Sequence, residues 1–143
     1  MDVSTHSFIR MARLAAPLMT DGGSMFAMSY YGANKVVSNY NVMGPVKAAL
    51  EASVRYLAHE LGPAGIRVNA ISAGPVRTRA ASGITHFDEL LDEAARRSPQ
   101  RRTVDGCEVG RVALLLASPY ASAITGEVVH VDAGFHVEGM VFH

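Results

Sequence analysis

Hydrophobic residues follow two patterns along this chain of 143 residues, and each pattern predicts a different kind of element. Short runs that are almost continuously apolar predict strands buried on both faces. Stretches in which apolar residues recur every three or four positions predict amphipathic helices. The predicted strands are 24–30, 66–72 and 126–132, and the predicted helices are 5–19, 42–61, 87–97 and 105–116.

The order of these elements predicts how the strands pair. Strands that alternate with helices are joined by right-handed crossovers, which make neighbouring strands parallel. Helices then cover both faces of the sheet. The sequence therefore predicts an α/β fold, a Rossmann-like, doubly wound parallel sheet of three strands with flanking helices, in a single unit over residues 1–143.

A glycine-rich turn that could hold a dinucleotide pyrophosphate is not found in this sequence. The 13 glycines lie mostly at strand and helix ends, and none forms a Gly-x-Gly-x-x-Gly or Walker pattern. In a doubly wound domain that turn belongs to the first half. The chain is therefore predicted to be the C-terminal half of such a domain, with the N-terminal phosphate-binding half absent and one edge of the sheet open.

Composition and charge argue against several classes of protein. Lys and Arg number 13, as do Asp and Glu, so the formal net charge is zero and no basic nucleic-acid surface is expected. No apolar run reaches the roughly 18–20 residues of a membrane span. Cys107 is the single cysteine, which favours a reducing compartment, so the cytoplasm is expected. The six histidines lack ligand spacing, so no metal site is expected.

Tyr40 and Lys47 carry the most informative candidate chemistry. If both lay on one helix, their seven-residue separation would turn about 700° and return the side chains to nearly the same face, roughly 10 Å apart. A nearby ammonium favours the phenolate and makes the phenol a stronger hydrogen-bond donor. The pair therefore predicts a tyrosine acid for carbonyl chemistry, with its proton affinity tuned by the lysine.

Several motifs resemble the C-terminal half of the short-chain dehydrogenase/reductase superfamily. They are Lys47-Ala-Ala-Leu50, Arg67-Val-Asn-Ala-Ile-Ser-Ala-Gly-Pro75 and Gly126-Glu-Val-Val-His-Val-Asp-Ala-Gly134. Segments 29–33, 39–44 and 77–83 resemble more closely the bacterial enoyl-acyl-carrier-protein reductases of type II fatty-acid synthesis. The resemblance covers essentially the whole chain.

The spacing between tyrosine and lysine distinguishes the subfamilies. Most members of the superfamily, including the 3-oxoacyl reductases, have tyrosine four residues before lysine, and Met43 stands at that position before Lys47. Enoyl reductases have six residues between the two, as Tyr40 and Lys47 do. Tyr31 and Lys35 have the commoner spacing, so a 3-oxoacyl or other carbonyl reductase that uses this pair is an alternative.

The resemblance implies reduction of trans-2-enoyl thioesters on acyl carrier protein, with hydride from NADH. NADPH stays open, because the residue that reads the nucleotide ribose belongs to the other half of the domain. Tyr40 would donate a hydrogen bond to the developing enolate, Lys47 would also bind the nicotinamide ribose, and Tyr30 would be a second active-site tyrosine. The chain alone is expected to be inactive, and a non-catalytic remnant or oligomerisation unit is a further alternative.

The resemblance also assigns binding residues and an assembly. A segment at about 76–102 would form a flap over the acyl chain, and the helix that carries the lysine packs between subunits in this superfamily. A homo-oligomer, specifically a dimer of dimers, is therefore implied. The implied cofactor contacts are Lys47, Ser29, Gly74, Pro75, Val76 and Thr78, and the implied substrate contacts are Tyr30, Tyr40, Ala80, Phe87 and Leu90.

Overall fold

A computed structural model describes residues 1–78 and 87–139, and these ranges contain the three predicted strands in one sheet. β1 spans Gly23–Tyr30, β2 spans Ile66–Ala73 and β3 spans Val128–Val131. β2 lies in the centre and pairs in parallel with β1 on one side and β3 on the other. The predicted parallel sheet is confirmed, although β3 is shorter than the strand predicted over 126–132.

The described residues form four α-helices around this sheet. They are α1 (Ser7–Ala15), α2 (Met43–Leu61), α3 (Phe87–Arg97) and α4 (Gly106–Ala117). The helix predicted over 5–19 is divided, because a π-helical turn precedes α1 and a short 3-10 turn containing Pro17 follows it. Proline lacks the N–H that would continue the helical hydrogen bonds, which explains the change of geometry.

α2 packs on β1 and β2 and brings the candidate lysine to the sheet. It gives way to a 3-10 turn at Gly62, and Gly65 then adopts the left-handed conformation with a φ of 71°. The predicted stop after Leu61 is therefore confirmed. Although α2 has 19 residues, none of the helices within 1–78 and 87–139 is both long and apolar enough to span a membrane.

Both faces of the sheet carry a hydrophobic cluster. On one face, Ala27 of β1 shares a cluster with Val54 of α2, which is fully buried. On the other face, Phe26 packs against a cluster that contains Ile71 of β2 and Leu116 of α4. Successive strand residues point to opposite faces, so the neighbours Phe26 and Ala27 enter different clusters. The doubly covered sheet predicted from the sequence is present.

Asn69 positions the start of β3 against β2. Its side chain is fully buried, donates from Nδ2 to the carbonyl of Ile124 at 2.9 Å, and accepts at Oδ1 from the backbone N–H of Glu127 at 3.0 Å. Gly126 lies between those two partners with a φ of 77°. The turn before β3 is therefore held by a polar side chain from the neighbouring strand, and β3 begins after that turn.

Two further predictions concern the edges of the sheet and the flap segment. Within residues 1–78 and 87–139, β1 and β3 are the two edge strands of the sheet, and each is hydrogen-bonded to β2 alone. The amphipathic helix predicted in the flap segment is α3, which ends at the predicted residue, Arg97. The remainder of that segment includes residues 79–86, which lie outside the described residues, and Ala80 is one of them.

Candidate active site

Four of the predicted site residues lie at the carboxyl ends of β1 and β2. Ser29 and Tyr30 are the last two residues of β1, and Tyr30 pairs in register with Ala73, the last residue of β2. Gly74 and Pro75 follow immediately and are buried. In open α/β sheets, ligands bind outside the carboxyl ends of the strands. The fold thus places the predicted residues where such a ligand would lie.

Tyr40 lies in a turn before α2 and not on the helix itself. Asn39 and Asn41 on either side of it have positive φ angles of 63° and 49°, which Asn tolerates better than most residues. The backbone N–H of Tyr40 donates to the carbonyl of Val37 at 3.1 Å. The expectation that helical geometry places Tyr40 and Lys47 on one face is therefore wrong, because the helix begins only at Met43.

The rings of Tyr30 and Tyr40 meet edge to face, with centroids 5.1 Å apart and an interplanar angle of 61°. Gly32 makes this approach possible, because a methyl group there would lie 2.5 Å from Cδ1 of Tyr40. The ring of Tyr31 instead packs against Phe135, with centroids 4.9 Å apart. The structure therefore brings together the two predicted catalytic tyrosines, while the alternative tyrosine contacts a different element.

Both predicted tyrosines hold their protons more tightly than a free phenol. Burial, and to a lesser degree the neighbouring Tyr40 and Tyr31, raise the pKa of Tyr30 to about 12. Burial also raises the pKa of Tyr40. This direction is opposite to the lowering expected from a neighbouring lysine, because loss of solvent around the phenol disfavours the phenolate. Near pH 7 both hydroxyls are neutral hydrogen-bond donors.

We expect the raised pKa of Tyr30 to make stability depend on alkaline pH. The pKa of Tyr30 is higher in the folded than in the unfolded state, so the stabilisation that depends on its neutral phenol is complete below about pH 10. That stabilisation is lost as pH rises towards 12, which lowers the free energy of unfolding by at most about 2–3 kcal/mol. Urea unfolding at about pH 9.5 and about pH 11.5 measures this loss. Tyr30→Phe should reduce the difference between the two unfolding free energies. Tyr120→Phe, at a side chain 91% exposed, should leave that difference unchanged, and an equal effect of both variants would contradict the prediction.

Lys47 points from α2 to β1, where its Nζ donates to the carbonyl of Met28 at 2.7 Å. Burial lowers the pKa of Lys47, and the negative charge of Glu51 opposes that effect. Lys47 lines a cleft of about 400 Å³ between α1 and β1, together with Phe8 and Met28. The structure therefore ties the predicted lysine to β1 at Met28, two residues before Tyr30.

Tyr40 lines a separate cleft of about 520 Å³, which is formed mainly by the loop between β1 and α2. Lys35 and Gly32 also line this cleft, whereas Lys47 does not. Of these two clefts, Lys47 therefore lines the one beside α1 and Tyr40 lines the one in the loop before α2.

Ser29 and the segment after β2 complete the predicted cofactor residues. The Ser29 hydroxyl donates to Oε1 of Glu51 at 2.5 Å. The backbone N–H of Gly74 donates to the carbonyl of Val131 at 2.9 Å, which holds this segment against β3. Val76 is half-buried and Thr78 is exposed.

The segment after β2 is also tied to the predicted substrate helix. Arg77 forms an ion pair of 2.7 Å with Asp88 on α3. The same helix carries Phe87 and Leu90, which are both half-buried. The structure thus brings two of the predicted substrate residues towards the predicted cofactor residues, through a contact between exposed side chains.

Comparison with known proteins decides the family. The family model described as Enoyl-(Acyl carrier protein) reductase matches residues 1–136. The chain belongs to this family. The resemblance to the enoyl reductases predicted from the motifs is thereby confirmed.

Individual enoyl reductases agree with this membership. Enoyl-acyl-carrier-protein reductase (NADH) 1 of Rhizobium meliloti is 56% identical over 140 residues, which cover 98% of this chain and 52% of that protein. A Staphylococcus aureus relative whose name specifies NADPH is 52% identical over 135 residues, which cover 94% of this chain and 53% of that protein. The Bacillus cereus enoyl reductase, solved with NADP+ and an indole naphthyridinone, has a TM-score of 0.91 at 51% identity, over 94% of this chain and 52% of that one. The chain spans about half the length of the curated relatives it matches.

Sequence reasoning missed two residues that build the arrangement in this enoyl-reductase chain. Gly32 admits the Tyr40 ring, and Glu51 accepts hydrogen bonds from Ser29 and Asn34. A signal for Glu51 was available, because a charged residue stands between Leu50 and Val54 on the apolar face of α2. For Gly32 the only signal was its place between the two candidate tyrosines.

Proposed function

We propose that the complete protein containing this chain reduces trans-2-enoyl thioesters of acyl carrier protein to saturated thioesters with NADH. Family membership supports the reaction, and several relatives carry this activity and NADH in their names. The observation that carries the proposal is the pair of neutral hydroxyls, Tyr30 and Tyr40, at the end of β1. A cytoplasmic location and a homo-oligomeric assembly, a dimer of dimers, are part of the same proposal.

The residues at the edge of the sheet fit the nicotinamide half of the cofactor. An ammonium group has three donors, and Lys47 directs one of them to Met28, which leaves two for ribose hydroxyls. Ser29, Gly74, Pro75, Val76 and Thr78 would surround the nicotinamide. The cofactor supplies the hydride when bound.

Tyr40 and Tyr30 would act on the charge that the reaction creates. Hydride addition to the β-carbon moves negative charge to the thioester oxygen before the α-carbon takes up a proton. A donor that is already in place stabilises such an oxyanion strongly, because it need not reorganise during the reaction. Tyr40 would donate to this oxygen, and Tyr30, whose ring supports that of Tyr40, would contact the same end of the substrate. Phe87 and Leu90 on α3, together with Ala80, would cover the acyl chain.

The test completes the chain with the N-terminal half of the Rhizobium meliloti relative and measures NADH consumption with crotonyl thioester. We expect turnover by the completed protein and little or none by the 143-residue chain alone. NADPH in place of NADH decides the cofactor preference. Acetoacetyl thioester tests the competing carbonyl-reductase activity.

Three results would overturn or redirect the proposal. Reduction of acetoacetyl but not crotonyl thioester would favour the 3-oxoacyl reductase alternative. A completed protein that folds and binds NADH without reducing either substrate would favour a non-catalytic role. Turnover by the chain alone would contradict the expectation that the other half is needed.

A further inference from the structure

Glu51 is a buried carboxylate at the candidate site to which the proposed reaction assigns no role. Its side chain lies one helical turn after Lys47 on α2 and is 5% exposed, among apolar neighbours such as Leu50 and Val54. Burying a carboxylate is strongly unfavourable unless hydrogen bonds or an opposite charge compensate for the lost water. The hydrogen-bond donors and charged groups around Glu51 therefore indicate what this buried carboxylate contributes to the structure.

Both carboxylate oxygens accept hydrogen bonds from the segment that carries the candidate tyrosines. The Ser29 hydroxyl donates to Oε1 at 2.5 Å, and Nδ2 of Asn34 donates to Oε2 at 3.1 Å. Ser29 immediately precedes Tyr30, and Asn34 lies in the loop that leads to Tyr40. Glu51 thus links α2 to the residue just before Tyr30 and to the loop between Tyr30 and Tyr40.

Two titratable groups surround this carboxylate. Lys47 is on the same helix, and His130 is on β3, in register with Ser72 of β2, which is itself in register with Ser29. Burial lowers the pKa of Lys47 and of His130, and the charge of Glu51 acts in the opposite direction on both. His136 lowers the pKa of His130 as well, and Asp132 raises it.

We propose that Glu51 is a positioning residue for the site. Its carboxylate holds Ser29 and Asn34 in place and gives the Lys47 ammonium a negative neighbour one turn away on α2. This role rests on the proposed function only in its consequence for catalysis. The interactions themselves belong to the 143-residue chain and can be measured without activity.

The test measures the protonation of Lys47 in the chain labelled with 13C at the lysine ε-carbon. The sequence contains two lysines, so the spectrum has two such resonances, and Lys35 serves as an internal reference. Glu51→Gln keeps the size of the side chain and removes its charge. We expect the titration midpoint of Lys47 to fall in Glu51→Gln while that of Lys35 is unchanged. Glu60→Gln, an exposed carboxylate on the same helix, should move neither midpoint.

A second variant keeps the test decisive if Glu51→Gln does not fold. Ser29→Ala with Glu51→Met removes the carboxylate together with its closest donor, and replacing both partners of a hydrogen bond by apolar groups can be nearly neutral for stability. The Lys47 midpoint should fall in this double variant as well. A folded variant of either kind in which the Lys47 midpoint stays at its original value would overturn the proposal.

The catalytic consequence is measured separately in the protein completed with the Rhizobium meliloti half. Misplacement of catalytic groups by a distant change can lower the rate by about 100-fold, and we expect Glu51→Gln to lower kcat by roughly 10- to 100-fold. The alkaline limb of the pH–rate profile should shift towards lower pH, because Lys47 would lose its proton more readily. If the unsubstituted completed protein is inactive, the proposed function fails while the lysine titration still decides the role of Glu51. An unchanged kcat and pH profile in an active protein would overturn the catalytic consequence alone.

Discussion

Tyr40→Phe in the completed protein is expected to lower kcat/KM for crotonyl thioester by about 100- to 1000-fold, the usual effect of removing one oxyanion donor. The loss should lie in kcat, because the hydroxyl acts on charge that exists only in the transition state. The ring would keep its contact with Tyr30 at 5.1 Å and its place over Gly32. The unfolding free energy should therefore change by less than about 1 kcal/mol. Steady-state kinetics and urea unfolding measure the two effects.

Tyr31→Phe is the matched control for this prediction. Tyr31 is half-buried, as Tyr40 is, but its ring packs on Phe135, so its replacement should leave kcat/KM within about threefold of the original value. If Tyr31→Phe abolished activity and Tyr40→Phe did not, the assignment of Tyr40 would be wrong. The alternative pair, Tyr31 and Lys35, would then be favoured.

The largest expected effect on stability comes from Gly22→Ala. Gly22 has a φ of 77°, and a methyl group added there would lie 2.6 Å from the carbonyl oxygen of Gly65. That oxygen already accepts the backbone N–H of Gly23 at 3.2 Å, so it cannot move without weakening the start of the sheet. A left-handed alanine costs about 1–2 kcal/mol, and overpacking adds about 1–3 kcal/mol. We expect the unfolding free energy to fall by roughly 2–4 kcal/mol in urea denaturation.

Gly110→Ala provides the control, with an expected change of opposite sign. Gly110 lies inside α4, and among residues 1–78 and 87–139 no atom outside its chain neighbours and its own helix backbone lies within 4 Å of an added methyl group. Alanine in a helix interior is about 0.5–1 kcal/mol more favourable than glycine, so this variant should be slightly more stable. Equal destabilisation by both variants would show that the conformation of Gly22 is not the cause.

The helices and strands followed from the sequence more closely than the site did. α3 ends at Arg97 as predicted, because its apolar and charged residues repeat with helical period up to that point. β3 was predicted two residues too long at its start because Asn69, far away in the sequence, holds the turn at Gly126. Such contacts leave no periodic signal near the residues they affect.

The candidate site was likewise predicted in part from the sequence, while its geometry depends on the tertiary structure. The resemblance of the motifs that contain Tyr30, Tyr40 and Lys47 correctly predicted the family, but the helical geometry assumed for Tyr40 was wrong. Positive φ angles at Asn39 and Asn41 turn the chain before α2 begins, and asparagine alone does not specify that conformation. The direction of the Tyr40 pKa also depends on burial, which the sequence around it does not record.

The sequence by itself determined the alternation of strands and helices and the motifs whose resemblance to the enoyl reductases predicted the family. Both depend on residues that are close together in the chain, where periodicity and order can be seen directly. Only the tertiary structure decided that Tyr30 and Tyr40 pack together and that Glu51 receives hydrogen bonds from Ser29 and Asn34. Those partners lie 22 and 17 residues from Glu51, on different elements, and such contacts form only when α2 packs against the end of β1.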